Sequence, residues 1–205
     1  SYRPLPPIIA NLLFAILKKF FKIYILISKK MNLKKHIRSI QDYPKKGILF
    51  RDITTLIKNS EAFNHTIDEI VKRSQIYKID KIAAMESRGF VFASAVSYIL
   101  KKPFILLRKK NKLPAETYSV DFELEYGTAT MELHKDSIQA NDSVLLVDDL
   151  IATGGTAEAA AKLIEMSKGK VAAFIFVINL FDLKGSDSLI KKGYNVENLL
   201  DFPGH

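Results

Sequence analysis

The sequence predicts a single α/β domain with a mainly parallel, twisted sheet flanked by helices, and three observations lead to this prediction. The chain has 205 residues, which is enough for one domain with a real core. Short apolar runs alternate with segments of helical periodicity, a pattern typical of parallel strands joined by helices. Between two of these strands lies a half-polar hairpin, which has to project from a sheet that is otherwise buried.

The first of these helices is predicted over roughly 60–77, because apolar residues recur at helical spacing behind Asn59, a residue type that caps helices. Buried strands and helices then alternate, as their apolar content and length indicate. These elements are a strand at Lys81–Met85, a helix at Gly89–Leu100, a strand at Pro103–Leu107, a strand at Val144–Val147, a helix at Ala157–Met166 and a strand at Val171–Ile178.

The hairpin lies between the second and third of these strands. Apolar residues occupy alternate positions from Val120 to Tyr126, Gly127 makes the turn, and the alternation resumes through Met131 and Leu133. A projecting ribbon beside the ligand-binding edge of a sheet often closes over the ligand. We therefore expect this hairpin to act as a lid.

Composition and charge exclude several classes of protein. The chain has no Cys, so a disulfide framework and Cys-ligated metal sites are excluded, and a reducing compartment such as the cytoplasm is expected. The net charge is +9, but residues 1–30 hold six Lys and Arg and no acid, so the remainder is only mildly basic. Without a zinc-finger, RNA-recognition or basic-heptad pattern, no nucleic-acid partner is expected.

Residues 1–30 differ in character from the rest of the chain. Their apolar runs are interrupted by Lys18, Lys19 and Lys22, so neither run reaches the about 18–20 uncharged residues of a membrane-spanning helix. We expect an apolar and basic extension at 1–30, as an over-long start before Met31 or a partner-binding arm. The domain is expected at 31–205, with no membrane partner.

One segment combines a buried strand, two acids and a turn: VLLVDDLIATGGT, from Val144 to Thr156. Carboxylates at the carboxyl end of a parallel strand can accept hydrogen bonds from vicinal hydroxyls or hold hydrated Mg²⁺. Small residues, glycines and hydroxyls before a helix suit a phosphate. The alternative is a helix cap beside a plain turn, but the order favours a ribose 5′-phosphate site formed by Asp148, Asp149, Ala152, Thr153, Gly154, Gly155 and Thr156.

This segment resembles the phosphoribosyl pyrophosphate signature of the type I phosphoribosyltransferases, and other motifs in order resemble the adenine-specific members of that family. The resemblance covers about residues 33–205. The motifs are Tyr43–Thr54, Glu86–Phe90, Arg108–Pro114, Leu124–Gly127 and Leu133–Asp136.

The resemblance implies the type I phosphoribosyltransferase fold with a hairpin lid and a small amino-terminal hood. It also implies a Mg²⁺-dependent transfer of the phosphoribosyl group from phosphoribosyl pyrophosphate to N9 of adenine, giving AMP and pyrophosphate in purine salvage. The transition state of such a transfer resembles an oxocarbenium ion, with negative charge growing on the leaving group. Adenine and phosphoribosyl pyrophosphate are the implied substrates, and the implied assembly is a homodimer.

The same resemblance implies roles for individual residues. Pyrophosphate would be held by Ser87, Arg88, Arg108, Lys109 and Lys112, with a cis peptide between Glu86 and Ser87. Adenine would contact the ring of Phe50 and the backbone of Leu49 and Arg51. In the lid, Glu125 would handle the proton at purine N7 and Tyr126 would act as a gate. The implied catalytic residues are Glu125, Arg88, Asp148 and Asp149, the last two being the protein carboxylates nearest to Mg²⁺.

The sequence also departs from the family pattern. Asn179 stands where the family usually has Glu, Ser186 stands in the place of the usual Arg after Gly185, and Ala115 replaces the customary Gly. Two alternative functions stay open: an enzyme for another purine base, and a non-catalytic phosphoribosyl pyrophosphate sensor. Such sensors need a DNA-binding domain, and residues 1–30 are too short and too apolar for one.

Overall fold

The computed structural model describes residues 31–124 and 127–204. A short 3₁₀ helix at Leu33–His36 leads into an antiparallel pair of strands, β1 (Arg38–Gln41) and β2 (Leu49–Asp52). This two-stranded unit is the small amino-terminal hood. The sequence pattern did not predict its strands, because each has four residues and β1 is mostly exposed and polar.

The remaining elements include every predicted strand and helix, and they add two short helices, Thr54–Ile57 and Gly185–Lys191, and a last strand, Val196–Phe202, that the sequence pattern did not predict. They are α1 (Thr54–Ile57), α2 (Ser60–Ser74), β3 (Lys81–Met85), α3 (Gly89–Leu100), β4 (Phe104–Lys109), β5 (Thr117–Leu124), β6 (Gly127–His134), β7 (Ser143–Ile151), α4 (Gly155–Met166), β8 (Lys170–Leu180), α5 (Gly185–Lys191) and β9 (Val196–Phe202). The predicted cap of α2 is confirmed, since the side chain of Asn59 accepts a hydrogen bond of 2.9 Å from the amide of Ala62.

Seven strands form the main sheet in the order β5-β6-β4-β3-β7-β8-β9. Strands β4, β3, β7, β8 and β9 are parallel, so the predicted α/β class with a mainly parallel sheet is confirmed. The hairpin β5–β6 joins β4 through two residue pairs, Arg108 with Glu132 and Lys109 with Met131. It thus continues the sheet beyond β4, with β5 as the outermost strand.

The core is built around β7 and β8, whose apolar side chains are buried on both faces. Strand β7 is longer than predicted and continues to Ile151, because Asp148 and Leu150 still pair with β8. The two acids are therefore the sixth and seventh of the nine residues of the strand and do not follow its end. No helix in the described part of the chain is long and apolar enough to cross a membrane.

Candidate active site

The carboxyl ends of β3 and β7 open into one cavity of about 470 Å³. Ser87 and Arg88 follow β3 and line one side, while Asp148 and Asp149 line the floor. The loop from Ile151 to Ala157 lines the far side. The structure thus brings together the predicted acids, the predicted phosphate loop and part of the predicted pyrophosphate site.

The two acids form a tightly coupled pair. Oδ1 of Asp148 accepts a hydrogen bond of 2.9 Å from the amide of Asp149, and Asp149 is 3% exposed. Oδ2 of Asp149 lies 3.0 Å from Nε of Arg88 and receives no hydrogen bond from the described residues. Such a buried carboxylate oxygen favours a bound cation or hydroxyl, so the pair fits Mg²⁺ or the hydroxyls of a sugar.

Burial sets the ionisation of this pair. Desolvation, and then the charge of Asp149, raise the pKa of Asp148 well above its ordinary value. Desolvation also raises the pKa of Asp149, while the guanidinium of Arg88 opposes that rise. The described residues include no cluster of three or more potential metal-ligating side chains, so a metal here would take its other ligands from substrate and water.

Gly89 is a site residue that the sequence reasoning did not single out. A Cβ at this position would lie 2.5 Å from Oδ1 of Asp148 and 3.1 Å from the carbonyl oxygen of Val147. Only glycine lets α3 begin so close to the acid, because any side chain would displace the carboxylate. The available signal was a glycine directly after Arg88, at the start of a predicted helix.

The phosphate loop leads into α4. Gly154 caps this 12-residue helix in a left-handed conformation with φ of 95°, which residues with a side chain rarely adopt. The first amides of a helix have no partner within it and carry the positive end of its dipole, so an anion is stabilised there. The position of Ala152–Thr156 is thus suited to a phosphate.

The basic turn of Arg108, Lys109 and Lys112 adjoins the loop after β3 through Glu86. The guanidinium of Arg108 donates to both carboxylate oxygens of Glu86, at 3.2 and 3.3 Å, and to the carbonyl of Lys112 at 3.2 Å. The amide of Lys109 also donates to Glu86, and this bond, followed by Arg108, lowers the pKa of that carboxylate. Within the described residues, none of these three cations lines the cavity.

Two acids that the sequence reasoning missed hold this turn in place. Glu86 binds its first residues, and the buried Glu132 on β6 accepts a hydrogen bond of 2.9 Å from the amide of Asn111. The side chains of Lys109 and Lys112 are exposed. The peptide between Glu86 and Ser87 is cis, as the resemblance implied.

A second cavity, of about 550 Å³, adjoins the first and shares Arg88, Leu150 and Ala152 with it. The hood lines one side with residues 46–51, and the other side includes Leu180, Leu183 and Gly204. Its largely apolar lining suits a flat organic ring.

The ring of Phe50 lies between two other groups of the site. It meets Tyr43 edge to face at 5.1 Å between centroids, and the guanidinium carbon of Arg88 lies 5.6 Å from its centroid. Arg51 lines the same cavity, and its side chain donates a hydrogen bond of 2.7 Å to the carbonyl of Pro203. The backbone role implied for Arg51 stays a prediction.

The predicted lid residues Glu125 and Tyr126 lie outside the described residues. The described part of the hairpin nevertheless reaches the cavity, because Glu123 is among its lining residues. A Cβ on Gly155 would lie 3.0 Å from the carbonyl oxygen of Glu123. The end of β5 therefore packs directly against the phosphate loop.

Comparison with known proteins identifies the family of the chain. The model of the phosphoribosyl transferase domain family matches residues 54–199. An adenine phosphoribosyltransferase from Pelagibacter ubique is 78% identical over 175 residues, which are 85% of this chain and the full length of that protein.

Solved structures give the same result. The crystal structure of an adenine phosphoribosyltransferase from Thermoanaerobacter pseudethanolicus has 46% sequence identity and a TM-score of 0.80, covering 83% of this chain and 98% of that one. The enzyme from Saccharomyces cerevisiae, solved with adenine and an imino-altritol bisphosphate, has 36% identity and a TM-score of 0.76, covering 82% of this chain and 96% of that one.

Proposed function

The chain belongs to the phosphoribosyltransferase family and, within it, to the adenine phosphoribosyltransferases, and from this premise we propose how the two adjoining cavities share the reaction. The first cavity binds phosphoribosyl pyrophosphate and the second binds adenine. The observation that carries the proposal is that Arg88 lines both cavities, and thus lies where the base has to meet the sugar.

In the first cavity, Asp148 and Asp149 accept hydrogen bonds from the ribose hydroxyls, and the amides and hydroxyls of Ala152–Thr156 hold the 5′-phosphate. The carboxylates of Asp148 and Asp149 would also be the protein groups nearest to Mg²⁺, which would be held mainly through the substrate. When bound, Mg²⁺ offsets the negative charge of the pyrophosphate. Support for this arrangement comes from the buried oxygen of Asp149 that receives no hydrogen bond from the described residues.

Departure of pyrophosphate leaves negative charge that cations must stabilise. Arg88 and the amide of Ser87 face this group at the cavity wall. Lys109 and Lys112 are assigned to the same set by the family resemblance alone, since neither lines the cavity. Arg108 acts through its ion pair with Glu86, which joins the turn to the loop after β3.

At the base, the backbone of Leu49 and Arg51 reads the edge of adenine while Phe50 packs against its face. The lid glutamate Glu125 exchanges the proton at N7, and Tyr126 closes the entrance. This role for Glu125 rests on the family resemblance and on the position of its neighbour Glu123 at the cavity.

Replacing Phe50 with Ala is expected to raise KM for adenine about 10-fold, because one face of the base loses its aromatic contact. KM for phosphoribosyl pyrophosphate should change little. Steady-state rates at varied concentrations of each substrate measure both values. Phe50→Tyr keeps the ring and serves as the matched control; equal effects of the two variants on KM for adenine would contradict the stacking role.

For the wider protein we propose a catalytic domain at 31–205 with residues 1–30 as an extension outside it, a homodimer and a cytoplasmic location. The 175 residues aligned with the full Pelagibacter enzyme support the domain boundary. An apolar face on α3 and β4, where Val91, Tyr98, Ile99 and Leu106 are exposed, supports the dimer. A homodimer would have twice the chain's mass of 23.2 kDa by light scattering.

A further inference from the structure

Helix α5 begins in direct contact with the phosphate loop. The amide of Gly185 donates a hydrogen bond of 3.0 Å to the carbonyl of Ala152. A Cβ on Gly185 would lie 2.3 Å from that carbonyl oxygen and 2.8 Å from the amide nitrogen of Gly154. Two stretches of backbone thus touch with no room for a side chain, and the loop rests against Gly185.

A polar network centred on the buried side chains of Asn179 and Ser186 joins α5 to β8 and β9. The hydroxyl of Ser186, which is 4% exposed, lies 3.1 Å from Oδ1 of Asn179 and 3.2 Å from Oδ1 of Asn198. Nδ2 of Asn179 donates in turn to Oδ1 of Asp201 at 2.9 Å. Each buried group has a partner, and such a network fixes the position of the backbone that carries it.

The network also explains two departures from the family pattern. Asn179 and Ser186 lie seven residues apart in the chain, and their side chains are in direct contact. A change at one of them therefore alters the hydrogen bonding of the other. The neutral pair retains a direct link between β8 and the residue next to Gly185.

We propose that Gly185, Ser186 and Asn179 are positioning residues that set where the amides of Ala152–Thr156 meet the 5′-phosphate of the substrate. The inference rests on the proposed function of that loop. These three residues act through the backbone of the loop. Gly185 bonds to Ala152 of the loop. Asn179 bonds to Asp201, and Ser186 bonds to Asn198. Displacement of a binding loop by about 1 Å is enough to cost roughly 100-fold in rate.

The first test is Gly185→Ala, which forces the two backbones apart. We expect KM for phosphoribosyl pyrophosphate to rise at least about 10-fold, with a smaller change in KM for adenine. Lys191→Ala, an exposed change in the same helix, is the matched control. An unchanged KM for phosphoribosyl pyrophosphate in folded Gly185→Ala would overturn the proposal.

The second test exchanges two side chains and stays informative if Gly185→Ala does not fold. Asn179→Asp places a carboxylate against Asp201 and should raise KM for phosphoribosyl pyrophosphate several-fold. Asp201→Asn alone should change it little, because its amide oxygen still accepts the bond. The double variant Asn179→Asp, Asp201→Asn again pairs one donor with one acceptor, so KM for phosphoribosyl pyrophosphate should return toward the wild-type value. If that KM stays as high as in Asn179→Asp alone, the proposal is contradicted.

Two further measurements separate this inference from the proposed function. Thr156→Val removes a hydroxyl of the loop itself, and an unchanged KM for phosphoribosyl pyrophosphate there would reject the phosphate role of the loop. If KM for phosphoribosyl pyrophosphate rises in Thr156→Val but keeps its wild-type value in both Gly185→Ala and Asn179→Asp, the loop binds phosphate but the proposed positioning role is rejected. Binding of AMP should weaken in Gly185→Ala while binding of pyrophosphate with Mg²⁺ stays constant; equal weakening would show general damage.

Discussion

The double variant Asp148→Asn, Asp149→Asn is expected to lose AMP formation and to unfold at a higher temperature than the wild type. Activity should fall by roughly 1,000-fold or more, because on the proposed function the site would lose two acceptors for the ribose hydroxyls and the carboxylates nearest to Mg²⁺. The pyrophosphate release rate measures activity, and calorimetry of the ligand-free protein measures thermal stability.

The gain in stability follows from the pKa shifts. Because the pKa values of Asp148 and Asp149 are raised in the folded protein, their ionised forms destabilise the fold. That cost is present above the raised pKa values and disappears as the pH falls below the ordinary values. The difference in stability between variant and wild type should therefore be largest at neutral pH and shrink in acid.

Asp142 at the opposite end of β7 is the matched control. A hydrogen bond from the amide of Gln139, followed by the ion pair with Lys81, lowers its pKa despite partial burial. Asp142→Asn should then reduce stability at neutral pH and leave activity intact. Full activity of the double variant, or a loss of stability in it at neutral pH, would contradict the assignment of the two acids.

The second large effect is expected from Arg88→Ala. This residue touches the buried carboxylate of Asp149 and the ring of Phe50, so its loss affects both cavities. We expect kcat/KM to fall by roughly 100-fold or more, as for loss of a group that stabilises developing charge. Arg88→Lys should recover part of this activity, because lysine keeps the positive charge but lacks the planar guanidinium group with its several donors.

The pH profile gives Arg88→Ala a distinctive readout. The guanidinium favours the ionised form of Asp149, so its removal raises the pKa of that carboxylate further. The acidic limb of the kcat/KM profile should move to higher pH. Lys81→Ala breaks a similar ion pair with Asp142 at the other end of the sheet and should leave the profile unchanged. An acidic limb that stays in place in Arg88→Ala would contradict the coupling to Asp149.

Much of the fold and of the site could be predicted because their signals are local. Helix α3 has the predicted bounds, and the strand, acids and glycines of VLLVDDLIATGGT lie within thirteen consecutive residues. Strand β9 was missed because Glu197, Asn198 and Asp201 interrupt its apolar pattern, while its hydrogen bonds come from β8. An edge strand of this kind is specified by its neighbour and not by its own periodicity.

Contacts between distant residues account for the rest. The ion pair of Arg108 with Glu86 spans 22 residues, and the bond from the amide of Asn111 to Glu132 spans 21. No spacing rule links such positions. The requirement for glycine at Gly89 likewise depends on the carboxylate of Asp148, which lies on β7 and is distant in the sequence. The sequence pattern identified residues that line the candidate site and missed those that hold them in place.

The central claim is that this site joins adenine to the phosphoribosyl group, and pyrophosphate release by the full chain tests it most directly. The purified protein would receive phosphoribosyl pyrophosphate and Mg²⁺ with adenine, hypoxanthine, guanine or xanthine in turn, and each reaction would be repeated with excess chelator. We predict release with adenine alone, with AMP formed in equal amount, and none when Mg²⁺ is removed. Release with another base in preference to adenine, or with no base at all, would contradict the account.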